Sequence, residues 1–131
     1  MIKVTAFLAT AALVVSMPLA AHSEDYASGA VKTMKTAKGE VLTDAKGMTL
    51  YVFDKDSKGT SNCYDDCAKK WPPLTASKGA KMDSEFTLVT RKDGTKQWAH
   101  EEQPLYLWQG DKKPGDVSGD GVGGVWHIAK D

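Results

Sequence analysis

One seven-residue segment occurs twice in this chain. Leu50-Tyr51-Val52-Phe53-Asp54-Lys55-Asp56 returns as Leu105-Tyr106-Leu107-Trp108-Gln109-Gly110-Asp111, with tyrosine, a second aromatic and aspartate at matching spacings. Self-similarity of this kind means that two segments take the same local structure, so the chain is built from two related units. In each copy the tyrosine and the second aromatic are two residues apart. On a strand they share one face, while the leucine and the residue between the rings take the other. Asp56 and Asp111 then fall in the turn beyond each strand, where a carboxylate accepts from backbone amides and holds the chain's exit.

The rest of the chain is punctuated in a way that suits hairpins. Lys38-Gly39, Lys46-Gly47, Lys58-Gly59, Asp93-Gly94, Gly110 and Gly115 separate short runs rich in β-branched and aromatic residues. Seven strands are expected, over 31–35, 41–43, 49–53, 86–91, 96–100, 105–108 and 125–129. Asp44-Ala45-Lys46-Gly47 and Arg91-Lys92-Asp93-Gly94 are expected as connecting turns. One segment departs from the pattern. Asn62 to Trp71 carries an Asn N-cap, acids in its first turn, bases in its last and Pro72-Pro73 as terminator, and reads as a two-turn helix. The fold class is therefore all-β, mainly antiparallel, with two related hairpin units and one short helix.

The N-terminus carries a different signal. Lys3 precedes an apolar run from Ala6 to Val15, broken only by Thr10 and followed by Pro18 and small residues. The run is shorter than the ~20 apolar residues of a spanning helix and has the layout of a secretory signal peptide. Residues 1–23 are read as that signal, cleaved near Ser23, residues 24–30 as a disordered leader, and residues 31–131 as a single β domain. No cysteine precedes Cys63, so no lipobox is present and the product is expected to be free of a membrane anchor, in the periplasm or secreted. Cleavage leaves 131 − 23 = 108 residues, enough for one domain. The full chain has 17 basic and 17 acidic residues, and this balance gives no electrostatic footprint for nucleic acid.

The two cysteines, Cys63 and Cys67, both lie in the exported part, in a compartment where disulfides persist. On a helix their Cα atoms would stand ~6 Å apart, near the upper end of workable disulfide geometry. A structural disulfide is the first reading. The alternative is a copper-binding or thiol-redox site in which His100 or His127 joins the two sulfurs, because soft thiolates select Cu(I). Against it stand Asp65 and Asp66, which disfavour a thiolate beside them. No cofactor is expected apart from that copper.

Trp98 and His100 share a strand face, so His100 is expected to be semi-buried, whereas His127 points away from Trp126 as a surface imidazole. Met34, Met48 and Met82 read as fillers of core gaps. Asp116-Val117-Ser118-Gly119-Asp120-Gly121 resembles the first half of a calcium loop, but position twelve is His127 where a bidentate Glu is required, so a glycine-rich surface loop is expected. Signatures of hydrolytic catalysis are missing, and the enzyme question stays open with non-enzymatic binding preferred. The aromatic residues are assigned to packing, and any exposed ring would mark a surface for a ligand or partner.

Taken together, Leu42-Thr43-Asp44, Gly47 to Phe53, Cys63 to Pro73, Asp93 to Trp98, Pro104-Leu105-Tyr106 and Gly115-Asp116 to Trp126-His127 resemble the bacterial secreted-repeat proteins, also described as predicted lipoproteins with a Tyr-x-(Phe/Trp/Tyr)-x-x-Asp motif. The motif residues here are Tyr51, Phe53 and Asp56, then Tyr106, Trp108 and Asp111. The resemblance implies an exported domain and no particular activity. The expected function is a periplasmic module binding an unidentified envelope protein or small ligand.

Overall fold

A computed structural model describes residues 25–131, so the expected export signal over 1–23 lies outside the described residues. Eight short strands and one helix follow in order: β1 Asp25–Tyr26, β2 Val31–Thr36, β3 Gly39–Asp44, β4 Tyr51–Phe53, α1 Asp66–Lys70, β5 Phe86–Thr90, β6 Lys96–His100, β7 Gln103–Pro104 and β8 Trp126–Ile128. All strand pairs are antiparallel: β1-β2-β3, β4-β8 and β5-β6-β7.

The two hairpins β2-β3 and β5-β6 are copies of one unit. Val31 and Phe86 open them, both fully buried, and Gly39 and Gly94 close their turns at φ 88° and 87°. Each pair is separated by the same offset, 86 − 31 = 94 − 39 = 55 residues. The Asp44–Gly47 turn forms as the sequence suggests: Asp44 Oδ1 accepts from the amides of Lys46 and Met48, both at 2.9 Å, and Gly47 adopts φ 86°.

The repeated heptapeptides lie side by side between these hairpins. Tyr51 and Tyr106, again 55 apart, exchange both backbone hydrogen bonds, at 2.8 and 2.9 Å. β8 flanks Tyr51, with the Ile128 register partner, and Pro73 flanks Tyr106. The order across this layer is thus β8, β4, the second heptapeptide and the 71–74 segment, with the Tyr51–Tyr106 pair at its centre. An approximate two-fold relates the two halves through that pair.

Alternation along these strands sorts the side chains into two cores, as the sequence pattern requires. Leu50 and Leu105 join Val31, Leu42, Phe86 and Trp98 on one side. Tyr51 and Tyr106 join Val41, Cys63, Trp71 and Trp126 on the other.

Four expectations need correcting. The leader over 24–30 is ordered from Asp25 onward: Asp25 and Tyr26 pair with Lys32 and Val31, Ala27 is buried, and the Tyr26 ring stacks on Phe86 at 5.2 Å, so the segment covers an otherwise bare core edge. The expected strand 105–108 pairs with its neighbours but does not form a regular ladder. Its partner is Pro72-Pro73, which has no amide hydrogens to donate, although Leu107 N–H still reaches Pro72 O at 2.7 Å and Gln109 N–H reaches Lys70 O at 2.9 Å. The helix is one turn shorter at its start, because Asn62 is held elsewhere: its amide donates to Asp56 Oδ1 at 2.7 Å and its Nδ2 to Lys55 O at 2.8 Å. Asp65, at φ 55°, then turns the chain into α1 without a side-chain cap. Met82, expected in the core, is 60 % exposed.

Candidate functional site

The motif residues form two hydrogen-bonded pairs, and the pairs cross between the repeats. Tyr51 of the first copy donates its phenol hydrogen to Asp111 Oδ2 of the second at 2.6 Å. Tyr106 of the second donates to Asp56 Oδ2 of the first at 2.7 Å. The remaining carboxylate oxygens do the turn work expected of them: Asp111 Oδ1 accepts from Ser118 N–H and Oγ at 3.0 and 2.6 Å, and Asp56 Oδ1 accepts from Asn62 N–H. Each Asp therefore holds its own turn and the opposite repeat's tyrosine.

Burial raises the pKa of both phenols above the usual tyrosine range, and the facing carboxylate hydrogen bond adds to it. Asp56 is raised as well, because desolvation outweighs the hydrogen bonds from Tyr106 and Asn62 and the attraction of Arg91.

The second motif aromatics end a column of stacked rings. Phe53 lies on Trp126 at 4.2 Å, Trp126 on Trp71 at 3.8 Å with planes 4° apart, and Trp71 on Trp108 at 4.1 Å. Trp71 and Trp126 are also 55 apart, so the approximate two-fold passes between them and exchanges Phe53 with Trp108. The inner rings are buried and the outer two half-buried. The column is a core feature whose ends reach the surface.

One repeat carries an addition that the other lacks. Arg91, read from the sequence as a turn residue, is 6 % exposed. Its Nη1 donates to Ser61 Oγ at 2.9 Å and Gln97 Oε1 at 2.7 Å, and its Nη2 donates to Cys63 O at 2.8 Å. Ser61 Oγ is 2.6 Å from Tyr106 Oη, which links this buried cation to Asp56 through two hydroxyls. The position of Arg91 in the first repeat is taken by Thr36, 55 residues earlier. No periodicity singled out Ser61, Arg91 or Gln97, since polar residues at strand ends normally face water.

Cys63 and Cys67 are joined to each other, with Cα atoms 5.2 Å apart. They come closer than on a regular helix because Cys63 precedes α1 and the chain turns at Asp65. Both sulfurs are committed to this bond, so thiolate coordination of copper would require its reduction first. The histidines lie in separate settings. His127 is exposed with Nε2 2.7 Å from Asp54 Oδ2, as expected of a surface imidazole, while His100 is more deeply buried than expected, at 4 % exposure. In the 116–121 loop, Asp116 Oδ2 accepts from the amides of Lys112 and Lys113 and Asp120 Oδ1 from Ile128 N–H, so both carboxylates are used by the backbone.

A cleft of about 420 Å³ opens between the 53–58 loop and the turn that joins β6 to β7. Phe53, Asp54, Asp56, Lys58 and Glu101 are among the residues that line it. Glu101 and Glu102 both have positive φ, 49° and 68°, in a two-residue turn whose geometry favours Asn-Gly. Two glutamates there hold the backbone in an unfavourable region, a feature that concentrates at functional sites. A second groove, of about 580 Å³, runs between the 75–80 loop and the β5-β6 hairpin, where Lys78 and Lys96 are its charged groups.

A family model described as a secreted repeat of unknown function matches the chain twice, over residues 32–75 and 87–130. The chain belongs to this secreted-repeat family. The two matches are offset by 87 − 32 = 130 − 75 = 55 residues, the same spacing that separates Tyr51 from Tyr106 and Trp71 from Trp126. The secreted repeat is thus the structural unit, and two of them interlock through the crossed Tyr–Asp pairs and the shared column of rings. No curated protein and no solved structure matches the chain. Among the described residues no helix is long and apolar enough to cross a membrane.

Proposed function

We propose that this secreted-repeat protein is a non-enzymatic periplasmic binding module that takes a small cationic ligand, an amine or quaternary ammonium group, in the cleft beside Phe53. The observation that carries the reading is the composition of that cleft. Phe53, Asp54, Asp56 and Glu101 line it with a single lysine, Lys58; Asp56 is held by Tyr106 and Asn62 and Asp54 Oδ2 by His127, so Glu101 is the carboxylate left to meet a cation. An aromatic face attracts a cation through its quadrupole, and a carboxylate supplies the complementary charge. Lys58 is drawn toward Glu102, with 4.0 Å between Nζ and Oε2. The strained conformation of Glu101 supports the same site.

The motif residues supply the framework behind it. Tyr51, Tyr106, Asp56 and Asp111 satisfy one another, and the rings of Trp71 and Trp126 are packed. Copper or thiol chemistry at Cys63 and Cys67 draws on no observation beyond the pair itself, which is closed.

The test is a two-dimensional amide NMR titration of the mature chain with 1,4-diaminobutane and with tetramethylammonium. Saturable shifts at Phe53, Ser57, Lys58 and Gln103 are expected, with affinity reduced several-fold in Glu101→Gln. Amides that stay unmoved at millimolar concentrations of both probes would contradict the proposal.

A further inference from the structure

A second site lies at the edge where β1, β5, β6 and the C-terminal segment meet. Glu85, His100 and Asp131 each offer one potential ligand atom, and these atoms all lie within 4.8 Å of one another. His100 is the buried member. Its Nε2 is inaccessible and has no hydrogen-bond partner, with Asp131 Oδ1 the near group at 3.8 Å. A buried polar nitrogen without a partner is costly and needs an explanation.

The surroundings hold these three groups in place. His100 pairs with Phe86 across β5 and β6, and its ring packs on the Phe86 ring at 4.8 Å. Glu85 is fixed through its backbone: its amide donates to Asp83 Oδ1 at 2.9 Å and its carbonyl accepts from Glu101 N–H at 2.9 Å. Asp131 is oriented by Tyr26, whose phenol donates to Oδ2 at 2.7 Å and leaves Oδ1 turned to His100. One imidazole nitrogen and two carboxylates, that of Asp131 oriented by Tyr26 and that of Glu85 carried on a fixed backbone, form the donor set of a first-row divalent ion.

The geometry points to a divalent transition-metal site, of the zinc class, formed by His100 Nε2 with the carboxylates of Glu85 and Asp131. Bonds of ~2.0–2.2 Å place ligand atoms roughly 3–3.5 Å apart, so the three groups close by about an ångström on binding. Glu85 and Asp131 are exposed and able to make that movement, while the imidazole stays fixed in the core. The site uses neither cysteine. It shares no side chain with the cleft, whose carboxylates are Asp54, Asp56 and Glu101, although the Glu101 amide holds the Glu85 carbonyl.

The competing arrangement is a buried imidazole simply facing two acids, which would bind no metal. Isothermal titration of the chelator-treated mature chain with zinc chloride separates the two, with unfolding temperature as a second readout. The metal site predicts saturable binding of one equivalent and a rise in unfolding temperature with zinc. Glu85→Gln and Asp131→Asn should each weaken binding at least tenfold while leaving the metal-free unfolding temperature within a few degrees of wild type. Both carboxylates are on the surface, so these variants fold even if His100→Gln does not. No saturable heat, or zinc affinity unchanged in both carboxylate variants, would overturn the assignment.

Discussion

The crossed phenol–carboxylate pairs tie the two repeats together. Each phenol is fully buried and donates to a carboxylate that also holds a turn, so removing the hydroxyl leaves an acceptor short of a donor, buried at Asp111 and half-buried at Asp56. Tyr51→Phe and Tyr106→Phe should each cost about 1–3 kcal/mol, read by urea unfolding. Their ionisation gives a pH signature. Both folded-state values are raised, so the contribution is fully present below the unfolded tyrosine value of about 10 and is lost as pH rises above it. Tyrosinate absorbance should therefore show these two phenols ionising together with loss of structure, and titration of all tyrosines in a folded chain would contradict that. Gly119 is a second sensitive position, for steric reasons. A Cβ there would stand 2.8 Å from Trp71 Cη2 and 2.9 Å from Tyr51 Cε1. Gly119→Ala should cost roughly 1–3 kcal/mol, because the stacked rings have no room to withdraw.

At the scale of elements, local pattern and long-range contact account for different parts of the fold. The hairpins β2-β3 and β5-β6 were legible because glycine-marked turns and alternation act over a few residues. The face assignment of Leu50, Tyr51 and Phe53 and of their copies followed from the two-residue period alone. Three elements were not legible. The helix start depends on Asp56 and Arg91, which tie down Asn62 and Cys63 from elsewhere in the chain. The broken ladder at 105–108 depends on which segment lies beside it. β1 is held by a contact that no local pattern shows, the Tyr26 ring stacked on Phe86. The proposed metal site was legible only in part: His100 was expected to be semi-buried from its face and was a candidate ligand only beside the two cysteines, whereas Glu85 and Asp131 come from distant segments. The Cys63–Cys67 loop is short, so replacing both cysteines by serine should cost only about 2 kcal/mol and leave a folded domain, checked by circular dichroism and unfolding. Glu102→Gly, which relieves a positive φ, should stabilise by up to about 1 kcal/mol in the same assay.

For the whole molecule, the 55-residue offset shared by the hairpins, the tyrosines, the tryptophans and the family matches describes two units that complete each other. Neither repeat contains the partner of its own tyrosine, and the column of rings alternates between them. The framework is thus cooperative, and the differences between its halves, the Arg91 network, the disulfide and the cleft beside Phe53, are laid on a symmetric base. The most direct test of this interlocked arrangement is a pair of double-mutant cycles measured by urea unfolding. Tyr51→Phe combined with Asp111→Asn should show a coupling of about 1 kcal/mol or more, because the two groups bond across the repeats. Tyr51→Phe combined with Asp56→Asn, from the same copy of the motif, should be additive within about 0.5 kcal/mol. Coupling in the second cycle and additivity in the first would mean that each motif closes on itself, and would contradict the account.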